Sequence, residues 1–178
     1  MSATDELFTL DVAANEQVSP SCSASFSPCR RYRYDLWRRW EPGPYAMFIG
    51  LNPSTADETQ DDPTIRRCIN FAKAWGYSAL CMTNLFAFRA TDPRDMKAEP
   101  NPFGVDNQHH LLKCASNAGV VIAAWGVHGT FANGDLAAKD WLARAGIRLH
   151  HLGLSKDGHP RHPLYLKADC KPIPLIEP

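Results

Sequence analysis

The sequence predicts an α/β fold in three layers: a central four-stranded, mostly parallel sheet flanked by helices, with an N-terminal strand or hairpin added. Short apolar runs, each long enough for one buried strand, occur at Tyr45–Leu51, Tyr77–Phe86, Gly119–Gly126 and Ile147–Leu154. Segments with apolar residues at helical spacing lie between them, and strands alternating with helices build parallel sheets covered on both faces. At 178 residues the chain can bury a core without covalent staples.

Residues 1–24 are rich in Ser, Ala and acidic groups without periodicity and read as a flexible N-terminal tail; residues 25–178 read as a single domain. In "RRYRYDLWRRW" (Arg30–Trp40) basic and aromatic positions alternate at first, as in a strand, and "EPGP" (Glu41–Pro44) turns the chain into "YAMFIGL", so the two can pair as a hairpin. From Asp62 the pattern becomes helical: Ile65, Cys68, Ile69, Ala72 and Trp75 share a face, Asp61 or Asp62 serves as N-cap, Pro63 suits the first turn and Gly76 the C-cap. "YSALCMTNLF" (Tyr77–Phe86) is the next buried strand. A proline-rich loop from Pro93 to Pro102 follows, and long irregular segments of this kind are usually functional. Helices are expected over Phe103–Ala115 and Phe131–Ala145, on either side of "GVVIAAWG"; "IRLHHLGL" is the fourth strand. The last 24 residues carry five prolines and form an irregular closing segment.

Nineteen basic residues balance nineteen acidic ones, so no global charge announces a polyanionic partner. No apolar run is long enough to span a bilayer and the N-terminus lacks a signal-peptide pattern, so a cytoplasmic, soluble monomer without membrane partners is expected. The six cysteines are scattered without a C-x-x-C pair, and Cys68, Cys81 and Cys114 look like core residues. Neither a metal nor another cofactor is expected. Walker-type, G-x-G-x-x-G and G-x-S-x-G motifs are missing, which argues against kinase, dinucleotide-dehydrogenase and serine-hydrolase chemistry.

Ligands of parallel sheets bind beyond the C-terminal strand ends. Those ends carry Asn52 and Ser54; Thr83 and Asn84 with Phe86 and Phe88; Trp125 and His128; and Lys156, His159, Arg161, His162 and Tyr165. Amides that donate and accept, aromatic faces and histidines together suit a planar heterocycle.

Strand-"GLNPS", strand-"TNLF", "VVIAAWG" and "HPRHPLYL" occur in the order of the motifs of the uracil-DNA glycosylase superfamily, which the chain distantly resembles. More closely, "NPSTAD" (Asn52–Asp57), "DDPTIRR" (Asp61–Arg67), Asn84–Phe86, Trp125–Gly126 and Pro160–Leu166 resemble the signature of the domain of unknown function 1643 family, over Arg30 to Asp169. The superfamily resemblance implies a uracil-DNA glycosylase-like fold and a DNA glycosylase-type hydrolase that cleaves an N-glycosidic bond in DNA or a modified nucleotide. On that resemblance Asn52 positions the attacking water, and Asn84 reads the base with Phe86, Ser54 and Tyr165 around it. His162, or His159 three residues earlier, donates to the departing base. Lys156, Arg161 and Lys167 contact nucleic-acid phosphates, while Leu164 or Tyr165 fills the space of a flipped nucleotide. Plain structural roles stand beside these: an Asx-turn for Asn52, a turn cap for Asn84, core packing for Phe86 and Phe88, a packed turn for Trp125-Gly126.

The acidic cluster Asp57, Asp61 and Asp62 departs from the superfamily pattern, because negative charge sits where phosphates would run. Its expected roles are to cap the following helix, pair with Arg66 or Arg67, hold a cation, or read a polar substituent on a modified base. Two alternatives to the glycosylase reading follow: a non-catalytic module that binds a nucleobase or nucleic acid, and a metal-dependent nucleotide or phosphoester enzyme built on the three aspartates.

Overall fold

The computed structural model describes residues 21–176. The four apolar runs become β3 (Tyr45–Gly50), β4 (Ala79–Asn84), β5 (Val120–Ala123) and β6 (Leu149–His151). All four are parallel, β4 beside β3, β3 beside β5 and β5 beside β6. Every residue of β4 and β5 is buried, as expected of strands covered on both faces.

Among the described residues the sheet has seven strands rather than four. β1 (Ser21–Phe26) and β2 (Arg33–Arg39) add antiparallel strands at one edge and β7 (Ile173–Pro174) adds one at the other, giving the order β1-β2-β4-β3-β5-β6-β7. The expected hairpin between β2 and β3 does not form. β2 pairs with β1 and with β4, which lies between β2 and β3. The fully buried β4 has a strand on each side, and β2 supplies the second. Residues 21–24, read as part of the tail, belong to β1; the rest of that segment lies outside the described residues.

Side-chain alternation in the sheet separates two core layers. Ala46, Phe48, Leu80, Met82 and Ile122 pack against Ile65, Cys68, Phe71 and Ala72 of α1 (Pro63–Ala74). Met47, Ile49, Cys81, Val121 and Ala123 face Leu111 and Cys114 of α3 (Asn107–Ala115) and Ala138 and Leu142 of α4 (Gly134–Arg144). Fully burying an apolar side chain of this size contributes about 1.5–3 kcal/mol, so both layers matter to stability. α1 starts as read: Asp62 caps it by accepting from Ile65 N at 2.9 Å, Pro63 opens it, and Gly76 after it takes φ +81°.

Other boundaries move. A short helix, α2 (Pro93–Ala98), lies inside the proline-rich loop, its start marked by an Asp92 cap and Pro93. α3 begins at Asn107 because Gly104 turns the chain with φ +78°. α4 begins at Gly134, after a 3-10 segment at Val127–Asn133 that is kinked at Phe131 and Ala132. Among the described residues no helix is long and apolar enough to cross a membrane.

From β3 the chain crosses through α1 to β4 on one side, then returns past β3 through α3 to β5 on the other. Open α/β sheets leave a crevice at such a reversal, beyond the C-terminal strand ends.

Candidate functional site

That crevice is a cavity of about 600 Å³. The ends of β3, β4 and β5 form its floor, and residues from Ser155 to Tyr165 and the start of α1 form its walls. Gly50, the last residue of β3, faces Asn84, the last of β4. A Cβ on Gly50 would stand 2.8 Å from Asn84 Oδ1, so glycine is what lets the Asn84 amide lie against the strand.

Asn52 lines the cavity and is half-buried. Its Nδ2 donates to Ala90 O at 2.7 Å and Pro53 O at 3.1 Å, with Phe88 O at 3.5 Å. Three carbonyls around one end of the amide identify that end as the NH2 group. Oδ1 is left as the free acceptor. The bonding is not that of an Asx-turn, in which Oδ1 would accept from the backbone; the amide instead ties the 88–90 loop to the end of β3.

Asn84 is 3% exposed, and its Nδ2 is buried without a partner. The N–H groups of the following turn are already used, Leu85 N by Gly50 O and Phe86 N by Leu51 O, both at 2.9 Å. Asn84 therefore does not act as a turn cap. Its position is fixed through the backbone by Asn107, a buried residue the sequence did not single out, whose Nδ2 donates to Asn84 O at 3.0 Å and Leu85 O at 2.9 Å.

The late loop brings both candidate histidines, His159 and His162, to the same cavity. His162 caps a single 3-10 turn, Pro163–Tyr165, with Nδ1 accepting from Leu164 N at 3.3 Å. That bond places the proton of the neutral ring on Nε2, as a donor. Burial lowers the His162 pKa, opposed by the nearby charge of Asp62, which favours the neutral donor. His159 sits in a tight turn closed by Ser155 N donating to His159 O at 2.8 Å. Arg161 and Tyr165 lie at the mouth, where Arg161 donates to Tyr165 O at 3.2 Å and Tyr165 is 74% exposed. Ser54 also lines the cavity, with its hydroxyl 3.5 Å from Thr91 Oγ1.

Three expected site residues are elsewhere. Phe86 is fully buried between Phe103 and Phe131, ring centroids 4.8 and 5.6 Å away, because past the strand end its ring turns into the α3–α4 layer. Lys156 and Lys167 are exposed and do not line the cavity. Trp125 packs as expected: a Cβ at Gly129 would meet its Cδ1 at 2.2 Å. Its ring also forms part of the cavity wall.

The acidic cluster holds the loop before α1. Asp57 Oδ1 accepts from Thr59 N and Gln60 N, each at 2.8 Å. Asp61 pairs with Arg38 at 2.7 Å, Glu58 with Arg30 at 2.9 Å, and Asp62 caps α1. Arg66 bonds the carbonyl of Asp61, and Arg67 bonds Leu166 O, so neither is the carboxylate partner expected. Three separate commitments are not a cation site. Among the described residues no group of three or more His, Cys, Asp or Glu side chains is placed to hold a metal ion.

Arg33 also lines the cavity, and the sequence reading passed over it. Alternating basic and aromatic residues fit a strand without saying which of them is buried; β2 lies between β1 and β4, and Arg33 is 2% exposed. A basic residue on a strand later found to be interior carried no periodicity signal of its own.

A family model described as protein of unknown function (DUF1643) matches residues 33–164. No curated protein and no solved structure matches the chain.

Proposed function

The chain belongs to the family described as protein of unknown function (DUF1643), and on that premise we propose, from its own cavity, that it takes a nucleobase between its strand ends and hydrolyses the N-glycosidic bond. The observation that carries the reading is the convergence of Asn52, Asn84, His159 and His162 on one cavity of about 600 Å³. The resemblance gave these residues separate roles, and each role needs the same ligand. In this reading the free Oδ1 of Asn52 accepts from the attacking water. Excision through an oxocarbenium-like sugar needs a held water more than a strong base. As the C–N bond breaks, its electron pair leaves with the base, and the Nε2–H of His162 donates to that developing charge. The proton shed by the attacking water as its oxygen bonds the sugar ends on the departed base. Asn84 Nδ2, buried and without a protein partner, reads the base edge. Tyr165, exposed at the mouth, and the exposed Leu164 before it in the chain suit the space of a displaced nucleotide.

The test is incubation with duplex and single-stranded DNA containing uracil, hypoxanthine or hydroxymethylated pyrimidines, followed by an assay for abasic sites. Product that disappears in Asn52→Ala and His162→Asn supports hydrolysis. Binding without abasic product from any substrate would instead make this a recognition module, a reading favoured by the way Asn52 Nδ2 is spent on backbone carbonyls.

A further inference from the structure

Two arginines on β2 are buried to nearly the same degree, Arg33 at 2% and Arg38 at 5% exposure, and the protein treats them in opposite ways. Arg38 is saturated: Nε bonds Asp61 Oδ1 at 2.7 Å, Nη1 the carbonyl of Trp37 at 2.9 Å, and Nη2 those of Asp57 and Gln60 at 2.6 and 3.2 Å. Arg33 has one protein acceptor, Ala56 O, 2.8 Å from Nη1. Its Nε is buried without a partner, and among the described residues Arg33 forms none of the ion pairs. A buried guanidinium with open donors is costly unless an anion completes it. Arg33 lines the same cavity as Asn84, whose own Nδ2 is also unpartnered. Thr64, in the first turn of α1, lines the same region, where the helix end favours negative charge.

We propose that the end of the cavity formed by Arg33, Asn84 and the start of α1 is an oxyanion subsite, and that the ligand carries a carboxylate or phosphate group that Arg33 clamps. This refines the substrate class and rests on the preceding reading only in taking this cavity as the ligand site. Asp62 also faces the cavity; its Oδ1 caps α1 by accepting from Ile65 N, but its charge remains and already acts favourably on Arg33, so an anion held by Arg33 binds against that repulsion. Burial lowers the Arg33 pKa to about 10, which still leaves the guanidinium charged at neutral pH. Arg33 itself is only 2% exposed, so the subsite takes an anionic group that enters the cavity. It selects either a free nucleotide that enters phosphate-first or a base bearing an acidic substituent.

The test measures binding by the full chain to inorganic phosphate, deoxyuridine 5′-monophosphate, 5-carboxy-2′-deoxyuridine and 2′-deoxyuridine at matched ionic strength, independently of any bond cleavage. At least one anionic probe should bind roughly tenfold or more tightly than deoxyuridine, and Arg33→Met should remove that advantage while Arg33→Lys keeps part of it. Phosphate-bearing probes alone point to a nucleotide, the carboxylate alone to a modified base. If Arg33→Met does not fold, the Arg33 Nε–H resonance of the ¹⁵N-labelled wild type, followed during titration, decides: it should shift with the anion. An unmoved resonance, anion affinity unchanged in Arg33→Met, or deoxyuridine binding as tightly as the anions would overturn the subsite. Failure to form abasic sites would leave it standing.

Discussion

Arg38 Nε and Asp61 Oδ1 lie 2.7 Å apart, with the arginine side chain 6% and the aspartate 28% exposed, and this pair turns the acidic loop into a structural clamp. The guanidinium also gathers the carbonyls of Asp57 and Gln60, so one side chain of β2 shapes the approach to α1. Asp61→Ala should destabilise the fold by about 2–3 kcal/mol, because a buried cation loses its counter-charge yet keeps its carbonyl acceptors. Asp61→Asn, which keeps an acceptor, should cost less. Urea unfolding of both variants measures the difference; equal and negligible effects would mean that the loop holds its shape without the ion pair.

Gly50→Ala tests the seat of Asn84. The new Cβ would stand 2.8 Å from Asn84 Oδ1, and because Asn107 anchors the Asn84 backbone carbonyl, it is the side-chain amide that must move. Overpacking of this kind costs about 1–3 kcal/mol. The sharper effect should fall on ligand affinity, since the amide itself is displaced. Affinity unchanged in a folded Gly50→Ala protein would remove Asn84 from the site.

What could be read in advance follows from how strongly burial marks each segment. The parallel strands were readable because burial on both faces forces continuous apolar runs, as in Val120–Ala123. β1 was not, since "SCSASF" is an edge strand with three exposed residues at its start, and β7 has two residues inside a proline-rich tail. The Asp92–Pro93 start of α2 was present in the sequence, but prolines further along hid it. At the site, Asn52, Asn84 and the late histidines stood out because strand ends are where polar groups need a reason. Arg33 did not: its meaning depends on β1 and β4 covering β2, a pairing over long sequence separation that no local pattern encodes.

Asn52 separates tethering from chemistry. In Asn52→Asp a carboxylate oxygen replaces the NH2 that faces Ala90 O at 2.7 Å, turning attraction into repulsion, whereas Asn52→Ala merely loses the bond. Asn52→Asp should therefore be the less stable of the two, with Asn52→Ala down by about 1 kcal/mol. Under the hydrolytic reading Asn52→Ala should also lose roughly a hundredfold in turnover through misplaced water. Thermal unfolding and single-turnover rates, measured on the same samples, separate the effects; a rate that falls no further than stability explains would leave Asn52 as a tether.

The pH dependence of stability should carry the signature of His162. Burial lowers its pKa from 6.5, and burial also lowers that of His151. In the unfolded chain both rings take up a proton near the ordinary value, while in the folded protein they resist protonation until the pH is lower. The unfolded state therefore binds more protons across that window, and stability rises with pH through it. The contribution is complete above 6.5 and is lost as the pH falls from there through the folded-state values. His162→Asn keeps an acceptor for Leu164 N at the start of the 3-10 turn but has no ring to titrate. Its unfolding midpoint should fall less steeply than that of the wild type between neutral pH and 5, leaving the residual slope to His151. If the two profiles run parallel, His162 is not held neutral by its surroundings, and its assignment as a neutral Nε2–H donor fails.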